Sequence, residues 1–401
     1  MKKSLLSLSA ILMLFAACKK QDLTSPAYSS DISNSVVSGK KIYFTQTGNY
    51  VGGGFAYHAG DTFVLKSGIN YTYFSMGNVH DVTIINEGGI VHLTNGFNLN
   101  GCTNVKISGT GSKESYGFEI SGHTAGDVGI DINGKSAHIT VNNVYIHDKT
   151  YGFWVKQEVG GTNDQSLYYP NWYMDSVEIY NCMIKRMNQE GMYLGSTGQN
   201  ADRPNAAGAY PYPMRLSNIS VHDNIVDSTG RGGIMLSGAD QGTNSIKNNT
   251  ITRCGYEWNS YQGNGVVIGG NAYANIDHNI IKNTLCDGIW VLGIGTTRVR
   301  HNDIDSSGWL SGVYAGSMHG VAFDNRPSYP FRTSTFRIRE NNISKHTDKF
   351  DIMIYNTLQT VSGKKTSGYG TTNNLIYSNN DGTATIYTQP GVIYSTQLPT
   401  N

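Results

Sequence analysis

Charge is scarce in this sequence. Only 15% of its 401 residues are charged and the formal net charge is +1, which excludes the basic footprint of a nucleic-acid binder and a disordered, charge-driven chain. Cysteine is scarce too. Five are present and no Cys-x-x-Cys pair occurs, so zinc-ribbon spacing is excluded. Helical periodicity is absent: apolar residues do not recur at three and four, and Gly and β-branched residues crowd the apolar segments. What is abundant is glycine, 48 residues in all, a composition that points to many tight turns.

The N-terminus reads Met1-Lys2-Lys3 and then an apolar stretch from Leu5 to Ala17, with Ala16 and Ala17 directly before Cys18. Such a stretch is too short to span a bilayer, so residues 1–17 read as a signal peptide that is removed. Leu14-Phe15-Ala16-Ala17-Cys18 resembles a bacterial lipobox, with Phe15 in place of the usual Leu, and implies a lipidated Cys18. The continuation Lys19-Lys20-Gln21-Asp22 is similar to the start of many Bacteroidetes lipoproteins. The Ser-rich segment that follows completes a flexible tether over residues 18–40. The expected location is therefore the cell envelope, lipid-anchored or secreted. Cys102, Cys182, Cys254 and Cys286 remain in the mature chain. An exported protein can form disulfides, but thiols stacked inside a core are the preferred reading.

Two repeating columns organise the rest. One is an apolar strand, an Asn and a further apolar pair, as in Ile219-Ser220-Val221-His222-Asp223-Asn224-Ile225-Val226 and Ile276-Asp277-His278-Asn279-Ile280-Ile281. Its Asn residues, Asn224, Asn249, Asn279, Asn302 and Asn341, are separated by 25, 30, 23 and 39 residues, which suits one coil of a solenoid. Stacked amides can hydrogen-bond along the axis of such a coil and satisfy the polar groups that its turns would bury. The other column begins with Gly and alternates: Gly152-Phe153-Trp154-Val155, Gly191-Met192-Tyr193-Leu194, Gly233-Ile234-Met235-Leu236, Gly265-Val266-Val267-Ile268 and Gly288-Ile289-Trp290-Val291. Period-two alternation predicts Phe153, Met192, Ile234, Val266 and Ile289 inside and their neighbours outside.

On these two columns the chain resembles the right-handed parallel β-helix repeat family, which includes pectate lyases, polygalacturonases and other polysaccharide-acting proteins. The resemblance covers roughly residues 60–360. It implies an all-β, single-stranded right-handed parallel β-helix over 41–357, with residues 358–401 capping the last coil. It also implies a polysaccharide partner along one sheet, a monomer, and Ca²⁺ as the cofactor a lyase would admit. It does not extend to activity motifs. The Asp-Asp and Gly-His-Gly pattern of polygalacturonases is missing, Ser317-Met318-His319-Gly320 lacking its first Gly, and no pectate-lyase arginine motif is present.

The outward residues of the Gly column are Asp131, Trp154, Tyr193, Met235, Val267, Trp290, Ala322 and Met353. Three large aromatics on an open strand face suit the apolar C–H faces of sugar rings; the alternative is that loops cover them. Two long aromatic segments, 157–175 and 196–216, leave the column at adjacent coils and would wall one end of a groove, while 255–263 enters from the other side. Charged candidates flank the same strands. Lys156, Glu190 and Arg231, on three successive coils, could supply a base and a charge clamp for elimination next to a uronate carboxylate. Glu190 and Asp287 would be the hydrolase pair, but three rungs separate their backbones by roughly 14 Å, more than the about 5 to 9.5 Å that paired glycosidase carboxyls need. Asp131, Trp154, Tyr193, Asn264, Trp290, His319 and Asp324 are the candidate substrate contacts. No metal set is selected. Elimination on a polysaccharide leads, with hydrolysis, glycan binding without chemistry, and a periplasmic accessory role as rivals.

Overall fold

The computed structural model describes residues 39–347 except 53–55, 123, 125, 199–200, 202, 259–261, 293–294, 311–312, 315–317 and 325–333. Beyond 347 it describes the strand segments 352–355, 359–361, 364–366, 375–378, 386–388 and 394–395. Cys18 and nearly all of the tether lie outside the described residues. Among the described residues no helix is long and apolar enough to cross a membrane.

The chain winds as a parallel β-helix, right-handed as such crossovers are. Each coil contributes a strand to a 13-stranded sheet, sheet 1, for example Val177–Tyr180, Ser220–His222, Ser245–Lys247 and Asn275–Asp277. After a corner it enters sheet 2 (Met183–Met187, Ile225–Thr229, Thr250–Cys254, Ile280–Thr284), and after a second corner sheet 3 (Tyr151–Val155, Met192–Leu194, Ile234–Leu236, Val266–Ile268, Ile289–Val291). Sheets 2 and 3 join into one ladder where the long strand Val91–Asn100 pairs with both Phe118–Ile120 and Val128–Asn133. Lys41–Phe44 opens sheet 1 and pairs in parallel with Thr62–Lys66. At the far end, Leu375–Ser378 pairs in parallel with Ser334–Arg339, and Ile386–Thr388 with Ile352–Tyr355, so both sheets continue beyond residue 358.

The first corner is held by the Asn column. The Asn249 amide donates to Asn279 Oδ1 at 3.0 Å and to the carbonyls of Val221 and Lys247, while its backbone N–H reaches the same Asn279 oxygen. The pattern repeats from Asn224 to Asn249, Asn279 to Asn302 and Asn302 to Asn341 at 2.8–3.0 Å between side chains. Cys182 ends the ladder by donating its backbone N–H to Asn224 Oδ1 at 2.9 Å. The residue before each Asn, among them Asp223, His278 and His301, has left-handed backbone.

The second corner explains the Gly column, and the reason differs from the expected tight turns. Gly152, Gly191, Gly233, Gly265 and Gly288 do not have positive φ. Instead a Cβ on Gly265 would lie 2.4 Å from Ile281 Cγ2 and 2.7 Å from the Gly288 carbonyl, and Gly233 and Gly288 meet the same two obstacles. Successive coils simply pass too close for a side chain. Phe153, Met192, Ile234, Val266 and Ile289 are fully buried, stacked coil on coil. Cys102, Cys182, Cys254 and Cys286 are buried and no disulfide joins them, and burial pushes the Cys182 and Cys254 thiols up to about 12.

The ladder makes a stability prediction. Asn279→Ala leaves the Ile246 carbonyl and two Asn249 donors unsatisfied, so it should cost about 3 kcal/mol. Lys247→Ala on the exposed side of sheet 1 should stay within about 0.5 kcal/mol. Denaturant midpoints of the two variants, compared with the parent, check the difference.

Candidate functional site

The outer side of sheet 3 is less open than its sequence suggests. Trp154, Tyr193 and Trp290 are half-buried, whereas Met235, Val267 and Ala322 are buried, so the expected continuous exposed strip is interrupted. The loop after Leu194 is one cause. Tyr193 Oη and Thr197 Oγ1 lie 2.7 Å apart, and Thr197 Oγ1 donates to Met235 Sδ at 3.5 Å, drawing the chain across that rung.

What remains open is a patch on three rungs. Asp131, Trp154 and Tyr193 are register partners on consecutive strands. The Trp154 and Tyr193 rings meet edge-on at 5.0 Å, and Tyr151 packs on Trp154 at 4.6 Å. Lys156 lies two residues beyond Trp154 and so on the same side of the strand. Its Nζ sits 3.9 Å from the Trp154 ring centre, 4.0 Å from that of Tyr193 and 2.6 Å from Glu158 Oε1. A cation between two ring faces is attracted by both.

Two buried carboxyl groups lie on the neighbouring coils. Asp131 Oδ2 accepts from Asn98 Nδ2 at 3.0 Å and Asn133 Nδ2 at 2.8 Å, while its Oδ1 has no partner. Burial pushes the Asp131 carboxyl up to about 6 against those two hydrogen bonds. Glu190 is 2% exposed and its Oε2 is also without a partner. Burial raises it, Arg231 and Lys156 lower it, and Glu257 raises it. Arg231 Nη1 stands 4.0 Å from Glu190 Oε1, and the same guanidinium grips Glu257. Tyr151 donates to Gln189, and burial followed by the Glu190 charge takes its hydroxyl up to about 12.

The fold thus gathers Lys156, Glu190 and Arg231 with Asp131, Trp154 and Tyr193. It does not bring Asp287 to Glu190: their strands are three rungs apart, and Asp287 instead accepts from the His319 backbone N–H at 2.7 Å, with His319 Nδ1 at 3.1 Å. Asn264, His319 and Asp324 are buried at 1%, 4% and 1% exposure, and Trp290 is separated from Tyr193 by the covered Met235 and Val267. Sequence reading missed Glu257 and Tyr151, although both lie in segments flanking the column.

The two long loops tie to each other as one wall. Gly161 N–H reaches the Pro204 carbonyl at 3.0 Å, Tyr169 N–H the Tyr212 carbonyl at 3.1 Å, and the Arg215 guanidinium covers the Tyr169 ring at 5.0 Å. Tyr210 and Tyr212 are exposed on that wall, as are Tyr256 and Trp258 on the segment entering from the other edge. A separate open trough of about 530 Å³ runs across the outer side of sheet 1 along Asp81, Asn104, His138, Glu178 and Asn218. No Phe, Tyr or Trp side chain lines it.

No family model matches the chain, and no curated protein matches it. Among solved structures it is similar to a double mutant of the periplasmic alginate epimerase AlgG, at 12% identity and TM-score 0.46 over 84% of this chain and 76% of that one. It is similar to the tailspike protein of Acinetobacter baumannii phage AM24 at 12% identity and TM-score 0.40, covering 73% of this chain and 48% of that one. An alginate lyase from Paenibacillus sp. str. FPU-7 matches at 13% identity and TM-score 0.30, over 88% and 99% of the two chains.

The raised Asp131 has a thermodynamic consequence. Folded Asp131 keeps its proton up to about pH 6, whereas in the unfolded chain it is lost near the ordinary 3.8 of an aspartate, so its contribution is full below pH 4 and disappears as pH rises through 6. The parent should lose up to roughly 3 kcal/mol of stability from this group across that window. Asp131→Asn should flatten that part of the pH dependence, which denaturant unfolding at pH 4, 5, 6 and 7 reads directly.

Proposed function

We propose that this chain binds an acidic, uronate-containing polysaccharide across the outer side of sheet 3 and cleaves it by elimination, acting from the cell envelope through an anchor at Cys18. The observation that carries the reading is the Lys156 ammonium held between the Trp154 and Tyr193 rings, one rung from a carboxyl group at about 6. A uronate unit offers three matching features. Its apolar ring face stacks on aromatics, its carboxylate pairs with a fixed cation, and the proton beside that carboxylate becomes removable once the charge is neutralised.

In this reading Asp131, ionised at neutral pH yet basic enough to accept a proton, is the base. Lys156 and Arg231 hold the carboxylate, and Glu190, raised by burial, is the acid beside the leaving oxygen. Ca²⁺ does not suit this donor set. It asks for six to eight oxygens, whereas Asp131 Oδ2 is filled by two amide N–H groups and Glu190 faces a guanidinium. The clamp is therefore assigned to the side-chain cations. Hydrolysis by Glu190 and Asp287 has no geometric support, because Asp287 is engaged by His319. One observation favours a second reading, glycan binding without chemistry: Lys156 and Glu190 are only 5% and 2% exposed.

The mature protein should be incubated with polyuronates and with neutral glycans, following ultraviolet absorbance for unsaturated uronates and reducing ends separately. Absorbance growth on a polyuronate is expected, with Asp131→Asn and Lys156→Ala each lowering kcat/KM by roughly 10²-fold. Binding without either product supports the second reading. Reducing ends without absorbance, or no binding at all, rejects elimination.

A further inference from the structure

The corner between sheets 1 and 2 carries a cluster remote in the coil from the patch on sheet 3. The left-handed residues before the Asn ladder put His278 and His301 on successive coils, with their rings stacked at 4.6 Å and 24°. Asp277 Oδ1 is 2.7 Å from His278 Nδ1 and 3.0 Å from His301 Nδ1. One ligand atom from each of the three residues lies within 4.8 Å of the other two. The flanking groups are placed as they are around bound metals: His301 Nε2 faces the Glu340 carboxylate, and Arg300 Nε donates to Asp277 Oδ2 at 2.8 Å.

Both nitrogens of His301 face carboxylates, Nε2 that of Glu340 and Nδ1 that of Asp277. A dication among Asp277, His278 and His301 replaces the contacts to Asp277 Oδ1 with coordinate bonds. His278 is 58% exposed along its side chain, which leaves a path for an ion and room for water ligands.

We propose that Asp277 Oδ1, His278 Nδ1 and His301 Nδ1 bind a late first-row divalent ion of the Zn²⁺ type, with Glu340 and Arg300 orienting the ligands. Two imidazoles and one carboxylate favour such an ion over Mg²⁺ or Ca²⁺. The ion clips two successive coils together, independently of any chemistry on sheet 3.

Calorimetric titration of the chelator-treated full chain with Zn²⁺, and with Mg²⁺ as the oxygen-preferring control, tests this. One Zn²⁺ per chain should bind, Mg²⁺ should give no heat, and Zn²⁺ should raise the thermal midpoint. His278→Ala with His301→Ala should abolish binding, and Glu340→Gln should weaken it 10- to 100-fold. Absence of Zn²⁺ binding overturns the proposal, as does binding of equal affinity and stoichiometry in the double variant.

Discussion

Every coil of this protein must present to the next coil a backbone that the next can repeat, at the spacing of strands in a sheet. The Asn ladder is where that demand is most severe, because the corner buries backbone carbonyls and N–H groups that no strand can pair. One amide per coil satisfies the corner of its own coil and hands its oxygen to the coil before it. The second corner meets the same demand by subtraction: glycine carbonyls approach where a Cβ would be 2.4–2.7 Å from its neighbours. Both corners fixed, the strands between them have no freedom of register, and one face of each points into the core.

That constraint explains why the fold was legible. A residue required at every coil appears in the sequence as a column, and the Asn and Gly columns reported corners, strands and phase together. The role of the glycines was less legible, because composition does not distinguish a left-handed turn from a steric approach. Exposure was less legible still. Met235, Val267 and Ala322 stand at outward positions of the alternation yet are buried, and loops carry no repeat from which their path could be read.

The site divides the same way. Coil order alone put Lys156, Glu190 and Arg231 on neighbouring rungs, and the 4.0 Å approach of Arg231 to Glu190 follows from it. That Lys156 settles between the Trp154 and Tyr193 rings depends on side-chain conformation, which spacing does not encode. The Asp277, His278 and His301 cluster escaped for a different reason. Its ligands come from adjacent coils, so no local spacing announces them, although the residue before each ladder Asn was already marked by the repeat.

Sheet 3 and its loops form a half-covered floor with a fixed cation, two aromatic rings and two raised carboxyl groups, flanked by exposed Tyr210, Tyr212, Tyr256 and Trp258. A crystal structure of the protein with a bound uronate oligosaccharide tests the account most directly. A sugar ring against Trp154 and Tyr193 with its carboxylate on Lys156 is the predicted result. The oligosaccharide seated in the trough of sheet 1, with the sheet 3 patch unoccupied, would contradict it.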